Sequence, residues 1–155
     1  MSGENEPYWK VKQYPLSNGK GAITRWLEKC KQYDSFAELE LETLLNTLPA
    51  LKNEKLWSMP EYRWMTNMED IGEWRFKSRN KVPLRIFGFF LPDKREHIML
   101  LGAVEDNRKY DTKDALKTAL SRRKEILEEI EIPISFSLDE ENNDDWNYFE
   151  EGEIA

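Results

Sequence analysis

The sequence predicts an α+β protein, with an antiparallel sheet flanked by an N-terminal helical hairpin and a C-terminal helix, and with an acidic C-terminal tail. Two observations predict this class. Apolar residues first recur at helical spacing over two segments, and then alternate or run continuously over three segments separated by polar turns. Strands that follow helices and are joined by short turns are typical of an antiparallel sheet. One more helical repeat precedes the acidic end.

The N-terminal third contains one strand candidate and two helix candidates. Residues 7–15 alternate in polarity between two prolines, which predicts an edge strand. Apolar spacing then predicts a first helix over residues 23–30. Ser35 and Glu38 have the spacing of a capping box, so a second helix is expected to begin there and to end or kink at Pro49. The two helices form the predicted hairpin.

Three strand candidates and a helix follow. Residues 72–77 alternate, so Trp74 and Phe76 share one face and the charged residues share the other. Residues 82–91 are almost entirely apolar. Residues 97–104 are equally apolar, which predicts a central strand buried on both sides. The final helix is indicated by apolar residues at helical spacing, namely Ala115, Leu116, Ala119, Ile126, Leu127 and Ile130.

The charge is unevenly distributed along the chain. The net charge is −7, from 23 basic and 30 acidic residues, but residues 133–155 contain eight acids and no lysine or arginine. Residues 1–132 therefore hold 22 acids and 23 bases, a net of +1. We predict a near-neutral domain over 1–132 and an acidic tail over 133–155. Residues 62–95 contain eight basic and four acidic residues. Such a surplus of positive charge attracts a phosphate backbone.

The composition excludes several classes of protein. The single cysteine, Cys30, cannot form an internal disulfide, and with His97 as the single histidine a zinc site lacks ligands. No apolar run approaches the roughly 20 residues that span a bilayer. The first residues are polar and acidic, unlike a signal peptide. We expect a cytoplasmic protein that uses no cofactor and no metal and does not enter a membrane.

Four segments carry a resemblance to a known family. They are Ile71-Gly-Glu-Trp-Arg-Phe-Lys77, Leu84-Arg-Ile-Phe-Gly-Phe-Phe90, His97-Ile-Met-Leu-Leu-Gly102 and the stretch from Tyr110 to Lys124. In their order and spacing they resemble the RelE/ParE superfamily of small toxins, in particular its phage-derived, HigB-like branch. The motifs cover roughly half of the chain, and the order of elements covers most of it.

The resemblance implies a fold, an activity and partners. The fold is a compact sheet with a helical hairpin and a C-terminal helix. The best-known members of the superfamily cut messenger RNA on the ribosome without a metal, whereas the ParE type poisons DNA gyrase. Most members are held inactive by an antitoxin protein. The expected partners are therefore an antitoxin and, for an active nuclease, messenger RNA on the ribosome.

Metal-free RNA cleavage needs cations at the phosphate and groups that move protons. Arg75 and Lys77 lie two residues apart on one strand face, and a hairpin turn at residues 78–81 would bring Arg85 close to them. Arg85 is also the lone charge of an apolar strand, where a cation needs a partner or a purpose. We predict that these three side chains bind the scissile phosphate. The alternative is that these three side chains are ordinary surface charges that face solvent.

Two side chains are candidate proton donors. His97 has the side chain best suited to proton transfer near neutral pH, although a histidine at a strand start is commonly a surface or capping residue. Tyr110 is the nearest match to the functional tyrosine that the resemblance implies. Glu105 and Asp106 stand where many relatives carry basic residues. Further nucleic-acid contacts are predicted from Arg63, Arg79, Lys81 and Arg95.

Two questions stay open from the sequence. The first is whether the protein is a nuclease or a non-catalytic interaction module on the same fold, which would bind an antitoxin or gyrase or serve as a phage regulatory protein. The second is the role of the acidic tail. It could cover the basic face in cis, mimic nucleic acid or bind a partner, or only solubilise the chain.

Overall fold

The computed structural model describes residues 7–68, 70–107 and 109–138. Its fold is α+β, with a seven-stranded sheet and three α-helices in these ranges. None of the described helices is long and apolar enough to cross a membrane. The elements are β1 (Lys10–Gln13), α1 (Ala22–Lys29), α2 (Ser35–Thr47), β2 (Tyr62–Trp64), β3 (Gly72–Lys77), β4 (Pro83–Leu91), β5 (Glu96–Asp106), β6 (Lys109–Tyr110), α3 (Ala115–Leu127) and β7 (Ile134–Ser135).

The sheet is mixed, so the expectation of a purely antiparallel sheet is wrong. Its strand order is β2-β3-β4-β5-β1-β7, with β6 paired to β5. The strand β1 runs parallel to β5, whereas every other pair is antiparallel. The helical hairpin and three strands separate β1 from β5 in the chain, so no short turn fixes their relative direction. The short strands β2, β6 and β7 make the sheet larger than the sequence predicts.

Helices cover both faces of the sheet. On one face, α2 packs with Leu41 and Leu44 against Trp74 and Phe76 of β3, and α1 packs against β5. On the other face, α3 packs against β4 and β5. The strand β5 lies between these layers and is buried from Glu96 to Ala103, which confirms the predicted two-sided burial.

The start of α2 differs in detail from the capping box expected at Ser35. The N-cap is Asp34, whose carboxylate accepts a hydrogen bond from the backbone N–H of Ala37 at 2.9 Å. The other oxygen of this carboxylate accepts from the backbone N–H of Arg79 at 3.0 Å. These two hydrogen bonds lower the pKa of Asp34, because they stabilise its charged form. One side chain thus both caps α2 and ties the helix to the turn between β3 and β4.

The first residues of the predicted tail belong to the folded body. The strand β7 pairs antiparallel with β1, and Phe136 is buried in the core on the α2 side. The description ends at Leu138. Residues 139–155, which contain all eight acids counted above, lie outside the described residues, and so does the predicted docking of the tail on the basic face.

Gln13 links three parts of the fold, which gives a prediction about stability. Its side-chain oxygen accepts from the backbone N–H groups of Ile23 and Thr24 at 2.9 Å each, at the start of α1. Its amide nitrogen donates to the Ser135 carbonyl at 3.0 Å. Gln13→Ala leaves buried donors without an acceptor, so we expect the free energy of unfolding to fall by about 2 to 3 kcal/mol in urea denaturation.

The matched control is Lys10→Ala, because Lys10 is an exposed residue of the same strand. We expect this substitution to change the free energy of unfolding by less than about 0.5 kcal/mol. Equal effects of the two substitutions would contradict the linking role of Gln13.

Candidate nucleic-acid interface

The hairpin of β3 and β4 brings the predicted phosphate-binding arginines together. Its turn is closed by hydrogen bonds from the Ser78 N–H to the Val82 carbonyl at 3.0 Å and from the Lys81 N–H to the Ser78 carbonyl at 2.9 Å. In this register Arg75 lies directly opposite Arg85. The hairpin therefore brings these two residues close together, as the sequence predicts. Two like charges at directly opposite positions destabilise a sheet, so the pair needs a counter-charge.

That counter-charge is Glu73, two residues before Arg75 on the same strand face. The side chain of Glu73 is fully buried. Its Oε1 atom lies 2.5 Å from Nη1 of Arg75, 3.1 Å from Nε of Arg63 and 3.7 Å from Nε of Arg85. Three arginines from three neighbouring strands thus converge on one carboxylate oxygen, and we call these four side chains the Glu73 cluster.

Tyr110 completes the coordination of Glu73 from β6. Its hydroxyl donates to Oε2 of Glu73 at 3.0 Å, and its ring packs edge-on against Phe87 at 5.0 Å between centroids. Burial and the adjacent Glu73 carboxylate raise the pKa of Tyr110 to about 12. The hydroxyl is therefore protonated at neutral pH, and it donates its proton to a hydrogen bond with Glu73. To act as the predicted proton donor in RNA cleavage, Tyr110 would first have to break this hydrogen bond.

Arg85 is anchored by further polar contacts. Its Nε donates to Glu105 at 2.8 Å, and its Nη1 donates to the Leu84 carbonyl at 3.1 Å. Only 9% of its side chain is exposed. These polar partners compensate the charge of Arg85, which explains how an apolar strand can carry it. Glu105 therefore neutralises an arginine of the β3–β4 hairpin.

A groove of about 480 Å³ opens beside the C-terminal half of β3. The strand β2 pairs only with residues 72–74, so Arg75 to Lys77 border the groove together with residues 59–61 and one face of α2. Four predicted site residues contribute to its lining, and two acids reduce the formal charge of the lining from +4 to +2. The four cations are Arg75, Lys77, Lys81 and Arg85, and the two acids are Glu40 and Glu61.

The helix α2 supplies carboxylates to the edge of this hairpin. Oε1 of Glu40 accepts a hydrogen bond from the backbone N–H of Lys77 at 3.2 Å. Asp34, the N-cap of α2, accepts one from the backbone N–H of Arg79. The side chains of Lys77 and Lys81 are exposed beside these contacts. The end of β3 and the turn after it therefore already bind carboxylates through backbone N–H groups, while Lys77 and Lys81 face solvent.

His97 lies on the other side of the sheet, so the prediction that it donates a proton at this site is not compatible with its position. The residue is fully buried, and its ring stacks on Trp57 at 5.2 Å between centroids. The ring also meets Trp74, which points to the face opposite Glu73 and Arg75. Its Nε2 is hydrogen-bonded to the Tyr62 hydroxyl at 3.1 Å, and burial lowers its pKa to about 3. It is a neutral core residue.

The remaining predicted nucleic-acid contacts are spread over the surface. Arg63 belongs to the Glu73 cluster. Arg79 is exposed next to the start of α2, with its guanidinium 5.8 Å from the centre of the Phe36 ring. Arg95 follows β4 at the end remote from Arg85, and its guanidinium stacks on Tyr8 at 3.8 Å. Arg95 therefore stands apart from the groove.

Glu73 is the site residue that the sequence does not reveal. Alternation correctly assigns it to the face of Arg75 and Lys77, but alternation carries no information on burial. The available signal is the surplus of arginines on three adjacent strands, which requires a central acid once the strands pair. Glu40 is equally hidden, because its contact with Lys77 joins α2 to a strand 37 residues later.

Comparisons with known proteins leave the family open. No family model, curated protein or solved structure matches this chain. Within the described ranges, no group of three or more histidine, cysteine, aspartate or glutamate side chains could hold a metal ion.

The environment of His97 predicts its titration. Because burial holds its pKa near 3, the Hε1 proton resonance of this single histidine should keep a constant chemical shift from about pH 8 to about pH 5. Below an ordinary pKa of 6.5, the unfolded chain binds a proton that the folded chain does not. His97 therefore lowers the stability of the fold as pH falls from 6.5 towards 3. A titration with a midpoint near 6.5 in the folded protein would contradict this burial.

Proposed function

We propose that the groove beside β3 binds the phosphate backbone of RNA, and that the protein is a RelE/HigB-like toxin that cuts messenger RNA without a metal. The observation that carries this proposal is the shared lining of one groove by Arg75, Lys77, Lys81 and Arg85. All four are cations that the sequence nominates for phosphate contact. A cation-lined groove of this kind is the usual electrostatic footprint of a nucleic-acid site.

The chemistry assigns different tasks to these side chains. In metal-free cleavage the 2′-hydroxyl gives its proton to water and its oxygen attacks the adjacent phosphorus, while the 5′-oxygen leaves and takes up a proton from water, giving a 2′,3′-cyclic phosphate and a 5′-hydroxyl. Arg75 and Lys77 would offset the charge that develops on the phosphate. Glu73 is fully buried and bonded to Arg75, so we assign it to positioning this guanidinium rather than to contact with RNA. Lys81 would add contacts to neighbouring phosphates.

A second candidate is binding without cleavage. It is favoured by the composition of the groove, whose titratable lining residues are glutamates, lysines and arginines, with no histidine among them. Arg85 is moreover neutralised by Glu73 and Glu105. An interaction module with this groove would bind RNA or an acidic partner protein, such as an antitoxin, and would leave RNA intact.

RNA binding is tested with the two exposed lysines, because their side chains are not part of the Glu73 cluster. We expect the double variant Lys77→Gln/Lys81→Gln to weaken binding of a fluorescent single-stranded RNA in anisotropy titrations. The slope of log K against log salt should become shallower by about 0.7 for each lost phosphate contact. The control is Lys117→Gln, an exposed lysine of α3 outside the groove. Equal slopes for the double variant and the control would refute the groove as the RNA site.

Cleavage is tested separately from binding. Expression of the chain in bacteria is induced, and 5′ ends of messenger RNA are mapped with and without Arg75→Ala. New 5′-hydroxyl ends that depend on Arg75 support the nuclease. Binding that depends on the lysines, together with intact messenger RNA, supports the interaction module instead.

A further inference from the structure

We infer that the groove beside β3 has an occupant within the same chain: the acidic segment 139–155, which would compete there with RNA. This inference rests on the proposed function only for the identity of the competitor. Charge, the apolar part of the groove lining and the point where the described chain ends support the occupancy itself.

Charge complementarity is the first argument. The segment carries eight acids and no lysine or arginine, whereas the groove lining has a formal charge of +2. The backbone N–H groups of Lys77 in β3 and of Arg79 in the following turn already donate to the carboxylates of Glu40 and Asp34. Aspartate and glutamate side chains therefore suit this edge, and the exposed Lys77 and Lys81 offer them further charge.

The groove is apolar in part, and so is the segment. Between its cations the groove is lined by Leu44, Met59, Pro60 and Pro83, and 55% of Met59 is exposed. The segment interleaves its acids with apolar aromatic side chains. A groove that is both cationic and apolar suits a segment with acidic and aromatic side chains better than it suits a segment with acidic side chains alone. The aromatic residues are Trp146, Tyr148 and Phe149.

The chain leaves the described body close enough to reach the groove. Residues 136–138 line a second, smaller groove together with Glu42, Leu45 and Asn46 of α2. The same helix lines the cation groove with Glu40, Thr43 and Leu44, so one helix separates the two grooves. A helix is about 10 Å wide, and an extended chain covers about 3.3 Å per residue. Trp146 follows Leu138 by eight residues, a reach of roughly 26 Å.

The consequence is an intramolecular competitor at a high effective concentration. A tethered segment at such short range acts at about millimolar concentration, so RNA must displace it before it can bind. The interaction is largely ionic, and added salt therefore weakens it by screening. The natural chain should bind RNA less tightly than a chain of the same length whose segment lacks charge.

The experiment compares two proteins of equal length. One is the natural chain, and in the other all eight acids of segment 139–155 are replaced by asparagine or glutamine. Acetylation of individual lysines by a succinimidyl acetate is followed by mass spectrometry, with Lys117 as an internal reference. We expect Lys77 and Lys81 to react several-fold more slowly in the natural chain at low salt, and this difference to vanish near 1 M salt. A chain carrying Glu128→Gln and Glu129→Gln controls for a general change of charge.

Equal reactivity of Lys77 and Lys81 in the natural and neutralised chains would overturn the inference, as would equal changes in the Glu128/Glu129 control. The second readout is affinity for a single-stranded RNA, which should be about tenfold higher in the neutralised chain. Protected lysines in a protein that binds no RNA in either form would support the intramolecular contact and refute the proposed function. The two claims therefore fail separately.

Discussion

The buried carboxylate of Glu73 is the interaction on which the architecture of the candidate site depends. It allows Arg75 and Arg85 to occupy directly opposite positions of a hairpin, where two uncompensated guanidinium groups would repel each other. It also binds Arg63 from the next strand and the hydroxyl of Tyr110 from β6. A buried charge is tolerated only when paired and hydrogen-bonded, and here each carboxylate oxygen has partners. The Glu73 cluster and Tyr110 together thus link four strands, β2, β3, β4 and β6.

This constraint divides the basic residues into two groups. Arg75 and Arg85 are held by ion pairs with Glu73 and form one wall of the groove, whereas Lys77 and Lys81 are exposed and available to a ligand. The opposite wall comes from α2, which is tied to the hairpin through the contacts of Asp34 and Glu40 with backbone N–H groups. A pre-positioned groove binds a polyanion at a lower entropic cost than a set of mobile side chains does. It also suits an acidic segment of the same chain.

The sequence predicts local features of this molecule better than long-range ones. The helices, the β3–β4 hairpin and the two-sided burial of β5 follow from periodicity and turn residues over short stretches. The parallel pairing of β1 with β5 does not, because nothing local fixes how distant strands meet. At the site, alternation groups Glu73 with Arg75 and Lys77, but burial of Glu73 depends on three other strands. His97 is assigned to the wrong environment for the same reason, since its cage is built from Trp57, Trp74 and Phe90.

The central claim, that Glu73 holds the arginine wall, is tested most directly by the stability of Glu73→Gln in urea denaturation. This substitution keeps the shape and removes the charge, so Arg63 and Arg75 lose their carboxylate partner and the largely buried Arg85 keeps only Glu105. We expect the free energy of unfolding to fall by about 3 kcal/mol or more. The matched control is Glu61→Gln, an exposed acid of the same groove, with an expected change below about 0.5 kcal/mol. A loss for Glu73→Gln no larger than that of the control would contradict the account.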